Sequence, residues 1–184
     1  MIARNDSRVL TVVVCGAGPA STVKALIGQA VERDWTVQVV ATPAALAFID
    51  SAAIENQTGC PVRSSYSAPG APRSKVPDAI IVAPATYNTI CKWAGGTSDT
   101  YALGILAEMT GMDIPIIVLP YVNAALAGRA PFRRSVESLR DEGVCILLGR
   151  GGIEPHQPRS GADPSGFPWH LALDEADRLV RLAP

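Results

Sequence analysis

Histidine is scarce in this chain: its 184 residues include only His156 and His170. The four cysteines, Cys15, Cys60, Cys91 and Cys145, form no C-x-x-C pair. A zinc site is therefore disfavoured and no metal is expected. A disulfide framework does not suit this size and cysteine content either. Buried free thiols in a reducing cytoplasm fit better. Charge of one sign is also missing. Sixteen basic and 17 acidic side chains give a net charge of -1, which supports neither a nucleic-acid partner nor an anionic membrane surface. No apolar run approaches the roughly 18 residues of a membrane span. The start, MIARNDSRVL, lacks a signal-peptide pattern. A cytoplasmic protein is expected.

What the chain has is a globular composition, 48% hydrophobic and 18% charged. Its length suits one domain spanning residues 1–184. Val9–Cys15 (VLTVVVC) is apolar and β-branched, as a strand covered on both faces should be. A glycine turn follows, and then Val23, Leu26, Ile27, Ala30 and Val31 recur at helical spacing. Glu32, Arg33 and Asp34 should end that helix in solvent. Thr36–Ala41 is the next strand, completing a β-α-β unit. Ala44–Ile49 reads as a short helix and Thr58–Ser65 as a short strand.

The loop Ala68–Pro77 precedes a buried strand at Ala79–Ala83. Helices are expected at Thr89–Ala94, Tyr101–Thr110 and Phe132–Glu142, with strands at Ile114–Leu119 and Val144–Leu148. Nine of the 20 residues in 149–168 are Gly or Pro, so this segment should be a long loop, either a lid or an ordered connection. A closing helix should occupy 169–182, with Asp174, Glu175, Asp177 and Arg178 mostly on its outer side and Phe167-Pro168-Trp169 as its anchor. The alternation gives an α/β, doubly wound, open parallel sheet of Rossmann-like form with helices on both faces. Ligands in such sheets bind beyond the carboxyl ends of the strands.

The residues there are informative. Gly16-Ala17-Gly18-Pro19-Ala20-Ser21 lets backbone N–H groups approach an anion, with Ser21 and Thr22 as hydroxyl donors or helix caps. A tight strand-to-helix turn is the other reading. The second strand ends in Val39-Val40-Ala41-Thr42-Pro43 without the carboxylate that would hold a dinucleotide's ribose, so NAD is disfavoured. Thr42 suits a phosphate, or it caps a helix. After the strand at 79–83 come Thr86, Asn88 and Thr89. They are neutral hydrogen-bonding groups, and none titrates near neutrality.

The stretch Ile81–Asp99 (IVAPATYNTICKWAGGTSD) resembles the P-A-S/T-A-N-T motif and its sequel, A-N-T-I-A-K-x-A-N-G-I-A-D, in the homo-oligomeric flavin-containing cysteine decarboxylases. That family includes phosphopantothenoylcysteine decarboxylase and the lantibiotic peptidyl-cysteine decarboxylases. Asn88, Thr89, Ile90, Lys92, Ala94, Gly96 and Asp99 match, whereas Tyr87, Cys91, Gly95 and Thr97-Ser98 depart. The resemblance covers roughly residues 9–150 and implies a Rossmann-like flavoprotein that binds FMN. It places Gly16, Gly18, Ser21 and Thr42 at the phosphate end and Thr86, Asn88 and Thr89 along the flavin. It further implies a trimer with an interfacial cofactor, or a dodecamer of trimers.

Pro120-Tyr121-Val122-Asn123 matches the family's P-x-M-N substrate motif at Pro120 and Asn123. The resemblance gives Asn123 the substrate carboxylate; as a plain reading, it caps the next turn. The family's catalytic histidine would fall near Gly70, where this chain has none. His156 is the residue that a mobile late loop could bring in. The reaction implied is oxidation of a cysteine side chain by the flavin, after which a thioaldehyde loses carbon dioxide. The substrate would be a small-molecule or peptide thiol. A flavin-binding regulatory or scaffold oligomer without decarboxylase activity is the alternative, favoured by the missing histidine. A flavin prenyltransferase fits less well, because the first turn is Gly16-Ala17-Gly18-Pro19 where those proteins carry G-A-S-G. Cys15 and Cys145 read as core thiols.

Overall fold

The computed structural model describes residues 8–66, 74–160 and 164–182. The chain runs β1 (Arg8–Val14), α1 (Lys24–Glu32), β2 (Trp35–Ala41), α2 (Ser51–Thr58), β3 (Ala79–Ala85), α3 (Tyr87–Ala94), α4 (Tyr101–Gly111), β4 (Ile116–Pro120), α5 (Ala124–Ala127), α6 (Ala130–Asp141), β5 (Cys145–Ile146) and α7 (Trp169–Leu182). Short 3-10 turns occupy Gly18–Thr22, Pro43–Ala47 and Pro164–Gly166. The strands form one parallel sheet in the order β2-β1-β3-β4-β5. This is the doubly wound α/β fold expected from the alternation of apolar strands and amphipathic helices.

Period-two alternation sorts the strand side chains between two cores. Leu10, Val12 and Val14 of β1 join Ile81, Ile117 and Leu119 under α1 and α7. Val13, Ile80, Val82 and Val118 join Ile90, Leu106 and Phe132 under α3, α4 and α6. Every residue of β3 is buried. With both faces covered, the central strands carry no charged side chain between their ends, and Thr11 is the polar side chain buried within β1.

Several local expectations need correction. Thr58–Ser65 contains no strand. Residue Arg63 makes a single parallel bridge to Val40, and Ser51–Thr58 is helical, capped by Asp50 accepting from Ala53 N–H. The helix was obscured because it buries only Ile54. Pro43–Ala47 is a 3-10 turn. The strand expected over Val144–Leu148 shrinks to Cys145–Ile146, after which the chain folds into a bridge between Leu148 and Ile153. The loop at 68–77 falls largely outside the described residues.

The closing helix departs most from its amphipathic reading. Asp177 is buried. It accepts from Arg8 at 3.0 Å, Arg33 at 2.9 Å and the Trp35 indole at 3.1 Å, while Arg33 also reaches Asp174 at 2.7 Å. Arg8 further lies over the Trp35 ring, 4.3 Å from its centre. Arg33, expected in solvent, thus fastens α7 to the start of the sheet. Burial alone would raise the Asp177 pKa. The hydrogen bonds from Arg33 and Trp35 and the charge of Arg8 outweigh it and hold the carboxyl below its ordinary value.

Stability from this group is therefore complete above the unfolded-state value of about 3.9 and is lost as the pH falls through the lower folded value. Asp177→Asn should cost about 2 kcal/mol at neutral pH, since it weakens charge-assisted bonds at a buried site. It should also remove part of the acid-dependent loss of stability below about pH 4. Urea unfolding followed by circular dichroism at neutral and acid pH measures both effects.

Candidate functional site

The direction of winding reverses between β1 and β3, and a crevice at such a reversal is where open α/β sheets place ligands. The two strand ends are tied together by the Cys15 N–H donating to Pro84 O at 3.2 Å. Gly16 then passes so close to Ala44 that a Cβ would lie 2.8–2.9 Å from its Cβ, carbonyl carbon and oxygen. Only glycine lets the turns after β1 and β2 meet this way. Gly18 has no such crowding; a Cβ there would meet only the Tyr121 hydroxyl, at 3.9 Å. The backbone N–H groups of Gly16, Ala17 and Gly18 find no protein acceptor among the described residues.

The hydroxyls of this turn do not cap α1. Ser21 Oγ donates back to Gly18 O at 3.0 Å and Thr22 Oγ1 to Pro19 O at 2.9 Å, inside the 3-10 turn. Ser21 is exposed. Thr42 behaves differently. Its backbone N–H donates to Val14 O at 2.9 Å, which sets it against the end of β1. Its Oγ1 is buried, makes no cap bond and has no partner among the described residues. A buried hydroxyl left unmatched costs roughly 1–3 kcal/mol, so such a group in a native fold calls for a ligand or a functional reason.

Across the crevice, Thr86 caps α3. Its Oγ1 accepts from Thr89 N–H at 3.3 Å and lies 3.1 Å from Thr89 Oγ1. Both hydroxyls are thus used in shaping the helix start, and Asn88 is left exposed on the first turn. Cys15 lies beneath this cap. Burial raises its thiol pKa, and hydrogen bonds with Thr89 and Thr86 only partly offset that, so it stays a protonated core thiol. Cys145 is pushed up to about 11 by burial and by its bond to Glu175, and is equally unreactive.

At the end of β4, Asn123 does cap the four-residue α5, with Oδ1 accepting from Leu126 N–H at 2.9 Å. Its Nδ2 keeps no partner among the described residues. His156 pairs with Asn123 through an isolated parallel bridge and packs edge-on against Tyr121, with ring centres 4.5 Å apart. The segment 149–168 therefore returns a histidine to the strand ends. Tyr121 is the residue that sequence reasoning passed over. Its only signal was an aromatic directly after a buried strand. The Gly70 region lies outside the described residues. An open groove lined by Thr110, Asp113, Glu142 and Leu182 opens at the opposite end of the sheet, away from all of these residues.

The Flavoprotein family matches residues 3–163. The chain belongs to that family. Among curated relatives, the Coenzyme A biosynthesis bifunctional protein CoaBC of Vibrio vulnificus (strain YJ016) is 31% identical over 159 residues, covering 82% of this chain and 36% of the relative. The chain spans well under half the length of the curated relatives it matches. The cypemycin decarboxylase CypD has a similar solved structure, with a TM-score of 0.73 at 23% identity, covering 97% of this chain and 96% of that one. The FMN-dependent cysteine decarboxylase SpaF superposes with a TM-score of 0.67 at 22% identity, covering 92% and 97%. These likenesses establish the flavoprotein fold. Among the described residues, no group of His, Cys, Asp and Glu is placed to hold a metal, and no helix is long and apolar enough to cross a membrane.

The contrast between the two glycines is testable. Gly16→Ala should destabilise the fold by about 1–3 kcal/mol, because a rigid backbone neighbour must give way. Gly18→Ala should stay within about 0.5 kcal/mol of the parent. Equal effects in urea unfolding would contradict the close approach of the two turns.

Proposed function

We propose that the chain binds FMN at the strand ends and oxidatively decarboxylates a cysteine-like or peptidyl-cysteine thiol as a cytoplasmic homo-oligomer, a trimer or an assembly of trimers. The observation that carries the cofactor is the buried, unpartnered Thr42 hydroxyl beside the glycine turn. A phosphate needs donors, and this turn offers open backbone N–H groups at Gly16, Ala17 and Gly18 together with that hydroxyl. No acidic side chain stands among these residues to repel an anion. The residues present therefore fit the phosphate end of FMN. The FMN dependence of the solved relative SpaF supports the same choice.

When bound, FMN supplies the two-electron oxidation of the thiol-bearing carbon. The chain's own groups bind and orient. Gly16, Gly18, Ser21 and Thr42 hold the phosphate end, while Thr86, Asn88 and Thr89 form the wall along the flavin. The Asn123 amide spends Oδ1 on its cap bond, which leaves Nδ2 as a neutral donor for the substrate carboxylate. The paired Thr86 and Thr89 hydroxyls hold the α3 wall rigid. A flavin-binding scaffold without decarboxylase activity is the second reading. It is favoured by the sequence, which has no histidine before residue 156. Carbon dioxide release from a cysteinyl substrate decides against it, and its absence with FMN fully bound decides for it.

Thr42→Val separates ligand binding from folding. Removing an unmatched hydroxyl should leave the flavin-free protein as stable as the parent or slightly more so. FMN affinity should drop about tenfold or more, one charge-assisted bond being worth roughly 1.5–3 kcal/mol. Fluorescence titration with FMN and thermal unfolding of the flavin-free protein measure the two. An unchanged FMN affinity would remove Thr42 from the phosphate site.

A further inference from the structure

The pair formed by Asn123 and His156 is more than a loop contact. Two backbone bonds lock it, from Ala124 N–H to His156 O at 2.8 Å and from His156 N–H to Val122 O at 3.2 Å. Residues facing each other across such a rung sit about 4.8 Å apart with side chains on the same face. Tyr121, two residues before Asn123, confirms that face by its ring contact with His156. Tyr121 is backed in turn by Phe167, and Phe167 by Trp169 at the start of α7. The imidazole therefore stands against a braced aromatic wall. Its Nδ1 is buried without a partner among the described residues, which leaves Nε2 as the ring nitrogen able to meet a ligand. Asn123 has spent Oδ1 on its cap, which leaves Nδ2 as its free donor.

We propose that His156 and Asn123 together form the receptor for the carboxylate of a thiol acid, with the His156 ring as the second donor beside the Asn123 amide. A carboxylate accepts at two oxygens, so it uses two adjacent donors fully. An alcohol or amide offers one neutral oxygen, a weaker acceptor for the same two donors. The cap of α5 is complete without the imidazole, so the His156 side chain is not needed to hold Asn123. The pair also gives this chain an ionisable group at the substrate end, built from its late segment. The inference rests on the reading above for where the substrate lies.

The chain's two histidines make the test direct, since imidazole carbon–proton spectra contain only His156 and His170, and His170→Gln assigns them. The flavin-loaded and flavin-free proteins are titrated under reducing conditions with N-acetylcysteine and with N-acetylcysteamine, which is the same molecule without its carboxylate. The acid should shift the His156 signals saturably and leave His170 still, and the cysteamine should shift neither. His156→Ala and Asn123→Ala should each weaken the acid about tenfold, with His156→Gln recovering part of the loss and FMN uptake unchanged in the His156 variants. Equal shifts from both probes, no His156 shift at saturating acid, or unaltered affinity in His156→Ala overturns the proposal. A protein that takes up no FMN yet shows the acid-specific shift refutes the flavin reading alone. One that binds FMN but ignores the acid refutes this inference alone.

Discussion

The central strands β1, β3 and β4 are covered on both faces, and that constraint governs the rest of the molecule. Ala79–Ala85 is buried along its whole length, and its neighbours are almost as dry. Backbone groups inside the sheet are satisfied by the ladder, but a charged side chain there would face desolvation without partners. Chemistry is displaced to the strand ends, where β1 and β3 part company and the chain must turn. Gly16 serves that same constraint, because the turns after β1 and β2 converge until only a hydrogen fits between Gly16 and Ala44.

The site that results is neutral and rich in donors. Its buried thiol, Cys15, is held protonated by its surroundings, so it contributes shape but no nucleophile. The Thr86 and Thr89 hydroxyls are used in the α3 cap. Among the described residues, the groups left uncommitted include the Thr42 hydroxyl, the N–H groups of the glycine turn, the Asn88 and Asn123 amides and the His156 ring. These groups favour an anion at each of two places, the ends of β1 and β2 and the end of β4. Under the proposed function, a phosphorylated cofactor and a carboxylate-bearing substrate would meet those two demands. At the opposite end of the sheet, Asp177 performs a purely architectural task, joining α7 to Arg8, Arg33 and Trp35.

Much of this was legible in the sequence for a physical reason. Strands buried on both faces are near-continuous apolar runs, so Val9–Cys15 and Ala79–Ala83 announce themselves, and the residues just beyond them are the candidate site. The motif through Asn88 and Thr89 then pointed to a flavin. What stayed hidden depends on contacts across long separations. Asp177 looks like a solvent-facing acid until Arg8 and Arg33 are seen against it. His156 looks like a loop residue until its backbone is found paired with Asn123, 33 positions earlier. Ser51–Thr58 buries one residue and so carries almost no periodic signal. The hydroxyls of Ser21 and Thr22 could equally have capped a helix; only the geometry of the 3-10 turn shows them bonded backward.

The central claim is that the strand ends hold FMN, and the most direct measurement is the absorbance spectrum of the purified protein, followed by release and chromatography of its chromophore. The account predicts a flavin spectrum and FMN released in stoichiometric amount with the chain. A colourless protein that also fails to take up added FMN would contradict it, and the decarboxylase reading would fall with it.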